Sequence, residues 1–180
     1  MQIVNGLLTE TSYHPSPNQD ARPIDTAITG IVIHSISLPP GIFGDNYIDD
    51  LFLNRLDPNA HPYFINIAEV KVSAHLLIRR TGEIIQYVPF GQRAWHAGIS
   101  SWDGRERCND FTIGIELEGS DHDKYEPAQY IQLSRVIKLL KKTIPTLSQQ
   151  YLKGHDEISP GRKTDPGPYF DWDYLMQLLA

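Results

Sequence analysis

The chain has 180 residues, of which 41% are hydrophobic and 21% charged, the mix of an ordinary soluble globular protein. Its formal charge of −6 argues against non-specific binding to nucleic acid, which needs a net basic face. The single Cys108 excludes an intramolecular disulfide and a multi-cysteine zinc site, and no apolar run approaches the length of a membrane span.

The predicted elements begin with a buried central strand at Ala27–Ile36, whose β-branched run is typical of such strands. Apolar side chains at positions 47, 48, 51, 52 and 56 predict a short amphipathic helix over Asn46–Leu56. Val72–Arg79 and Glu83–Val88 flank Thr81-Gly82, a pattern that predicts a β-hairpin.

The second half of the chain opens with a predicted strand at Phe111–Leu117. The clearest helix is Ala128–Ile144, with a stripe of apolar side chains and Pro127 near its start, and a short helix at Asp171–Leu179 closes the chain. Proline, glycine and exposed aromatic residues concentrate in predicted loops at 12–26, 57–70, 89–110 and 154–170. The pattern predicts a single α/β domain over residues 1–180, with helices packed on a sheet and the chemistry carried by loops.

The most informative loop is 154–167, with the sequence GHDEISPGRKTDPG. It places His155, Lys163 and Asp165 within a short segment that contains Pro160 and Pro166, so the backbone is predicted to be rigid and irregular. Rigid loops that display such side chains often hold catalytic groups in place. A surface turn with ordinary polar residues is the alternative.

His34 directly follows Gly-Ile-Val-Ile at the end of the predicted central strand. A lone histidine there is more often a satisfied core residue. Together with His155 and Asp165, however, it would complete a three-ligand zinc site with a fourth position open for water. Zinc lowers the pKa of such a water to about 7 and polarises a carbonyl, which hydrolysis requires. The spacing is no local signature, so the residues alone leave both interpretations open.

Glu116 and Glu118 are two residues apart on a predicted strand and therefore share one face. A solvated strand face is the alternative interpretation for at least one of them. A carboxylate beside a metal could deprotonate the attacking water and then protonate the departing amine, and Glu116, further inside the strand, is the better candidate. Lys163 could stabilise the oxyanion of a tetrahedral intermediate, or it could be a solvent-facing charge.

A series of motifs extends this pattern along the chain. It comprises His34 followed by Ser-Ile-Ser-Leu-Pro-Pro-Gly, Asp57-Pro58, His61-Pro62, Val72-Ser73-Ala74-His75, Arg93-Ala94-Trp95-His96-Ala97-Gly98, Gly104-Arg105, Arg107-Cys108-Asn109-Asp110, Gly114-Ile115-Glu116-Leu117-Glu118-Gly119 and the 154–167 loop. In order and spacing, from about residue 5 to 175, the chain resembles the AmpD-type anhydro-N-acetylmuramoyl-L-alanine amidases of bacteria. That family belongs to a wider zinc amidase group that includes T7-type lysozyme and the peptidoglycan recognition proteins.

The resemblance implies a central mixed β-sheet flanked by α-helices. It also implies Zn²⁺ bound by His34, His155 and Asp165, with Glu116 and Lys163 as catalytic residues. The implied reaction cleaves the amide between anhydro-N-acetylmuramic acid and L-alanine in cytoplasmic muropeptides during peptidoglycan recycling. An aspartate, rather than cysteine, as the third ligand points to the AmpD branch.

Further residues are candidates for substrate binding. Arg105 and Arg107 could pair with the carboxylates of the peptide stem, although solubility alone would also explain them. Trp95 could form an apolar wall for the sugar or peptide, or belong to the core. The remaining candidates to line the pocket are His75, His96 and Asn109. Ser35 stands where many members of the family have asparagine.

Two rival functions share this fold. A peptidoglycan-binding module of the recognition-protein kind would lose a metal ligand, whereas this chain keeps all three. A regulatory module, as T7-type lysozyme is for its polymerase, would leave no mark in the sequence. The N-terminal residues lack a cationic stretch followed by an apolar one, which predicts that the protein stays in the cytoplasm, with Cys108 a free thiol. The expected partner is the anhydro-muropeptide, with no nucleic acid, membrane or protein partner implied.

Overall fold

The computed structural model describes residues 1–147 and 150–180. Its strands are β1 (Ile3–Val4), β2 (Leu7–Leu8), β3 (Ser12–Tyr13), β4 (Gln19–Ala21), β5 (Gly30–Ile36), β6 (Leu76–Ile78), β7 (Ile84–Gln86), β8 (Gln92–Ala94), β9 (Ser101–Trp102), β10 (Arg105–Glu106), β11 (Thr112–Glu118) and β12 (Leu152–Gly154). Its helices are α1 (Tyr47–Phe52), α2 (Pro127–Thr143), α3 (His155–Ile158) and α4 (Trp172–Leu179), and 3-10 turns cover Pro62–Asn66 and Cys108–Asp110.

A six-stranded mixed sheet organises the molecule, in the order β12-β5-β11-β6-β7-β3. β11 lies between β5 and β6 and runs parallel to both, and β12 runs parallel to β5 at the sheet edge. β6 and β7 form the predicted antiparallel hairpin. Because β12, β5 and β11 are parallel, their carboxyl ends meet at one edge of the sheet, which is where the candidate site lies. The expected mixed sheet with flanking helices is confirmed.

Helices cover both faces of the sheet, so β11 is buried along its whole length and β5 is buried from Gly30 to His34. On one face, α2 packs Leu133, Ile137 and Leu140 against the isoleucines of β5 and β11. On the other, α1 packs Ile48 and Phe52 in a second core. Helix α2 begins with proline in its first turn and a capping box and ends in two lysines, which favour helix formation at the respective ends.

Several predicted loops contain regular structure. The 12–26 loop includes β3 and β4, and the 89–110 loop includes β8, β9 and β10. The 154–167 segment, predicted to be irregular throughout, opens with α3, because the Glu157 carboxylate accepts a hydrogen bond from the Gly154 N–H at 2.7 Å and caps the helix. Among the helices within residues 1–147 and 150–180, none has both the length and the apolar character needed to cross a bilayer.

Candidate active site

Three acceptor side chains converge at the carboxyl edge of the sheet. His34 lies on β5, and His155 directly follows β12, whose Gly154 pairs with Ile33 of β5. His34 Nδ1 is 2.9 Å from His155 Nδ1 and 3.2 Å from Asp165 Oδ2, and His155 Nδ1 is 3.0 Å from the same oxygen. The parallel pairing of β12 with β5 therefore brings together residues that are 121 positions apart.

The far nitrogen of each histidine indicates where its proton lies. His155 Nε2 is 3.0 Å from the Ala97 carbonyl oxygen, which can only accept, so Nε2 carries the hydrogen. For a neutral imidazole this leaves Nδ1 of His155 without a proton. That bare nitrogen is the atom that faces His34 and Asp165.

The proton on His34 follows from a longer chain of contacts. The Thr112 hydroxyl donates to the Cys108 carbonyl at 2.6 Å, so Thr112 Oγ1 accepts from His96 Nε2 at 3.2 Å. The other nitrogen of His96, Nδ1, then accepts from His34 Nε2 at 2.9 Å. Burial lowers the pKa of His34 to about 4 and that of His96 well below its usual value, so both rings are neutral.

Two bare nitrogens and a carboxylate oxygen thus face one another at 2.9–3.2 Å. Three acceptors this close repel unless a cation lies between them. Ligands of a tetrahedral ion with bonds of about 2.0–2.2 Å lie about 3.3–3.6 Å apart, only a few tenths of an ångström more than here. Histidine nitrogen and carboxylate oxygen also suit divalent metals, so His34, His155 and Asp165 form a possible metal site.

Glu116 lies beside this cluster because β11 pairs with β5 in a register that sets Glu116 opposite His34. Its side chain is buried, and Oε2 has no hydrogen-bond partner among the residues that the structure describes. Burial raises the pKa of Glu116 well above its usual value; the negative charge of Asp165 raises it further, and Lys163 opposes both effects. An unpaired buried carboxylate is costly, so such a group indicates a functional role.

Glu118, two residues further along β11, has a different environment. Its Oε1 accepts from the Gly44 N–H at 2.7 Å and from Arg79 at 3.2 Å, and its Oε2 accepts from the Arg80 N–H at 3.1 Å. Arg79 also contacts Asp49 at 2.6 Å. The prediction of a solvated strand face is wrong for this residue, because Glu118 is a buried, fully paired structural carboxylate.

A cavity of about 430 Å³ opens over the cluster. Besides His34, Glu116, His155 and Asp165, its lining includes the predicted residues Trp95, His96 and Lys163, together with Ser35. Sequence reasoning did not single out Tyr63 or Arg162, which also line it. Both signals were in the sequence: Tyr63 follows the His61-Pro62 motif, and Arg162 precedes Lys163.

Four residues that the sequence predicts to bind substrate do not line this cavity. Arg105 stacks on Phe111 at 3.8 Å, and Arg107 borders a separate cavity that includes Gly98 and Pro160. Both residues follow the β9–β10 turn, and neither lines the cavity over His34, His155 and Asp165.

The other two are polar residues with backbone partners, the buried His75 and the partly buried Asn109. His75 is fully buried, and its ring accepts from the Gly114 N–H at 3.1 Å while its other nitrogen lies 3.1 Å from the Gln92 carbonyl. Asn109 Oδ1 accepts from the N–H groups of His96 and Ala97. These hydrogen bonds hold the protein's own backbone.

Comparison with known proteins finds relatives that match the chain over its whole length. The family model described as N-acetylmuramoyl-L-alanine amidase matches residues 24–168. The chain is 57% identical over 180 residues to the 1,6-anhydro-N-acetylmuramyl-L-alanine amidase AmpD of Citrobacter freundii, covering all of this chain and 96% of that protein. It superposes on a crystal structure of a selenomethionine AmpD derivative with a TM-score of 0.97 and 55% identity, with both chains covered completely.

A more distant structure has a bound molecule. AmiD from Escherichia coli, in complex with the substrate anhydro-N-acetylmuramic acid-L-Ala-D-gamma-Glu-L-Lys, matches with a TM-score of 0.63 and 29% identity over 87% of this chain and 60% of that chain. The family match, the AmpD relatives and the shared fold lead to one conclusion. This chain belongs to the N-acetylmuramoyl-L-alanine amidase family, in its AmpD-type 1,6-anhydro branch.

Proposed function

We propose that this amidase uses Zn²⁺, held by His34, His155 and Asp165, to hydrolyse the amide between anhydro-N-acetylmuramic acid and L-alanine in muropeptides released by cell-wall turnover. The observation that carries the proposal is the buried carboxylate of Glu116, whose Oε2 has no partner within residues 1–147 and 150–180, beside three convergent acceptors. The names of the AmpD relatives and the substrate bound to AmiD support the choice of bond.

The donor set favours zinc among the divalent metals. Two imidazoles and one carboxylate are a common set for catalytic zinc, which keeps one position open. When bound, zinc would make a water molecule acidic at neutral pH and polarise the scissile carbonyl. The outer hydrogen bonds of His34 and His155 turn Nδ1 of each ring toward the site, which is the orientation that such binding needs.

Glu116 moves the proton in this proposal. Its free Oε2 takes a proton from the attacking water, and the carboxyl group then delivers that proton to the nitrogen of the departing L-alanine. Lys163 lines the same cavity, where its ammonium group stabilises the negative oxygen that develops on the substrate carbonyl. The amide bond breaks as this oxygen returns to a carbonyl.

The cavity wall has the composition that a sugar–peptide substrate requires. Apolar side chains, among them Tyr63, Ile67, Val72 and Trp95, line it together with the charged groups. An apolar wall binds the carbon skeleton of a sugar or a stem peptide, while a small number of polar groups fix its orientation. Lys163 and Arg162 supply positive charge for the anionic stem.

The test is mass spectrometry of purified anhydro-muropeptide before and after incubation with the protein. The expected products are anhydro-N-acetylmuramic acid and the free stem peptide, with the reaction lost on chelation and restored by zinc. Turnover should be much faster than on intact sacculi, since the 1,6-anhydro branch is named for the free turnover product. Binding of the muropeptide without cleavage, at full zinc occupancy, would instead favour a recognition module. We place the reaction in the cytoplasm, where free anhydro-muropeptides would be the substrate.

A further inference from the structure

The dipeptide His96–Ala97 contacts both predicted metal-binding histidines on the side away from the metal. His34 Nε2 donates to His96 Nδ1 at 2.9 Å, and His155 Nε2 donates to the Ala97 carbonyl at 3.0 Å. The two ligands come from different strands, β5 and the end of β12, yet their outer hydrogen bonds end on adjacent residues.

The backbone of this dipeptide is held in turn. Asn109 Oδ1 accepts from the His96 N–H at 3.1 Å and from the Ala97 N–H at 2.7 Å. A single side chain therefore fixes the position of both outer acceptors. Because Asn109 is partly buried, these bonds are shielded from competing water.

The imidazole of His96 is confined by its surroundings. Its side chain is 8% exposed, and its ring lies so close to Gly114 of β11 that a Cβ at position 114 would collide with it. Thr112, on the same strand, accepts from His96 Nε2 and donates to the Cys108 carbonyl. Since the Cys108 carbonyl can only accept, the hydrogen bonds in this series all donate in one direction, from His34 through His96 and Thr112 to Cys108.

We propose that His96 is a positioning residue, which with Asn109 and Thr112 fixes the tautomer and orientation of His34 so that Nδ1 presents its lone pair to the metal. This inference rests on the proposed zinc site, and it replaces the substrate-binding role that the sequence suggested for His96 and Asn109. Outer hydrogen bonds of this kind commonly determine metal affinity in zinc enzymes.

The experiment measures the zinc dissociation constant of the full-length protein by competition with a chelating dye, with Co²⁺ absorption as a second probe of ligand geometry. His96→Leu removes the acceptor and should weaken zinc binding about 10- to 100-fold. His96→Asn returns an acceptor at the δ position and should retain zinc better than His96→Leu. Thr112→Val keeps the β-branched shape but removes the hydroxyl that accepts from His96 Nε2, so that either nitrogen of His96 can carry the proton. This variant should also weaken zinc binding, but by less than His96→Leu.

Matched controls use the same substitutions away from the chain of hydrogen bonds. His122→Asn changes an exposed histidine, and Thr143→Val removes a hydroxyl at the end of α2. Both should retain the wild-type zinc affinity. With saturating zinc, the KM of the His96 and Thr112 variants should stay within about twofold of wild type while kcat falls, as expected of lost positioning.

The outcomes separate this inference from the proposed function. If the wild-type protein binds no zinc, the proposed function fails and this inference fails with it. If the wild type binds zinc but folded His96→Leu and Thr112→Val bind it equally well, only the positioning role is refuted. A raised KM at unchanged zinc affinity would return His96 to substrate binding and also refute it. Should His96→Leu fail to fold, Thr112→Val still decides the question.

Discussion

Glu116 and Glu118 lie two residues apart on β11. Replacing Glu116 by glutamine should lower activity and leave stability nearly unchanged, whereas replacing Glu118 should lower stability and leave activity nearly unchanged. Glu116→Gln preserves shape but removes the proposed proton acceptor, so kcat should fall about 10²- to 10⁴-fold, or about 2.7–5.4 kcal/mol of transition-state stabilisation. Since Glu116 Oε2 has no partner among the described residues, little stability is lost, and the melting temperature should change by less than about 3 °C.

Glu118→Gln should show the reverse. The substitution breaks a buried ion pair with Arg79, which costs about 3–5 kcal/mol. The lower value applies because Arg79 keeps its contact with Asp49, and about 3 kcal/mol corresponds to about 6–12 °C for a protein of this size. Its kcat at 25 °C should remain close to that of the wild type.

The assay pairs calorimetric melting with initial rates on purified anhydro-muropeptide, each variant being loaded with zinc. Zinc content is measured for both variants, so that a lost metal is not mistaken for a lost base. If Glu118→Gln abolishes turnover while folded and Glu116→Gln does not, the base has been placed on the wrong residue of the strand. If both variants lose stability equally, the contrast between an unpaired and a paired carboxylate is refuted.

Three further predictions follow from the site. His34→Ala and Asp165→Ala should each show strongly reduced zinc by metal analysis, and full occupancy in both would contradict the ligand assignment. Lys163→Ala should lower kcat about 10²-fold on the anhydro-muropeptide with zinc retained, whereas an unchanged kcat would make this lysine a solvent-facing charge. Arg107→Ala should leave KM within about twofold of wild type, since Arg107 is exposed, pairs with Asp110 and borders a different cavity; a severalfold rise in KM would restore it to substrate binding.

The parts of the fold that the sequence predicted are those with strong local patterns. β5, β11 and α2 each have a continuous apolar run or stripe, so their residues specify both the element and its buried face. His34 and Glu116 could be singled out because each interrupts such a run with a polar side chain. These features could be predicted because the pattern that specifies each one lies within a short segment of the sequence.

The remaining features depend on contacts between distant parts of the chain. β12 has only three residues and is defined by its pairing with β5. No local sequence pattern predicts that pairing. Glu118 could not be identified as structural because its partner, Arg79, lies 39 residues away. The loop position of Arg107 after Trp95 suggested a role in the same pocket, but Arg107 does not line the cavity that Trp95 lines.

The parallel pairing of β5 with β11 has a consequence for how this protein can vary. Seven consecutive residue pairs, from Gly30–Thr112 to Ile36–Glu118, hold His34 opposite Glu116, and a one-residue slip would turn one of the two side chains to the other face. The distance between His34 and Glu116 is therefore set by the pairing of β5 with β11. Insertions in the surrounding segments should leave that distance unchanged. The cavity walls at Tyr63 and Trp95 come from separate connections, so new substrate preferences could arise there while the reacting groups keep their places.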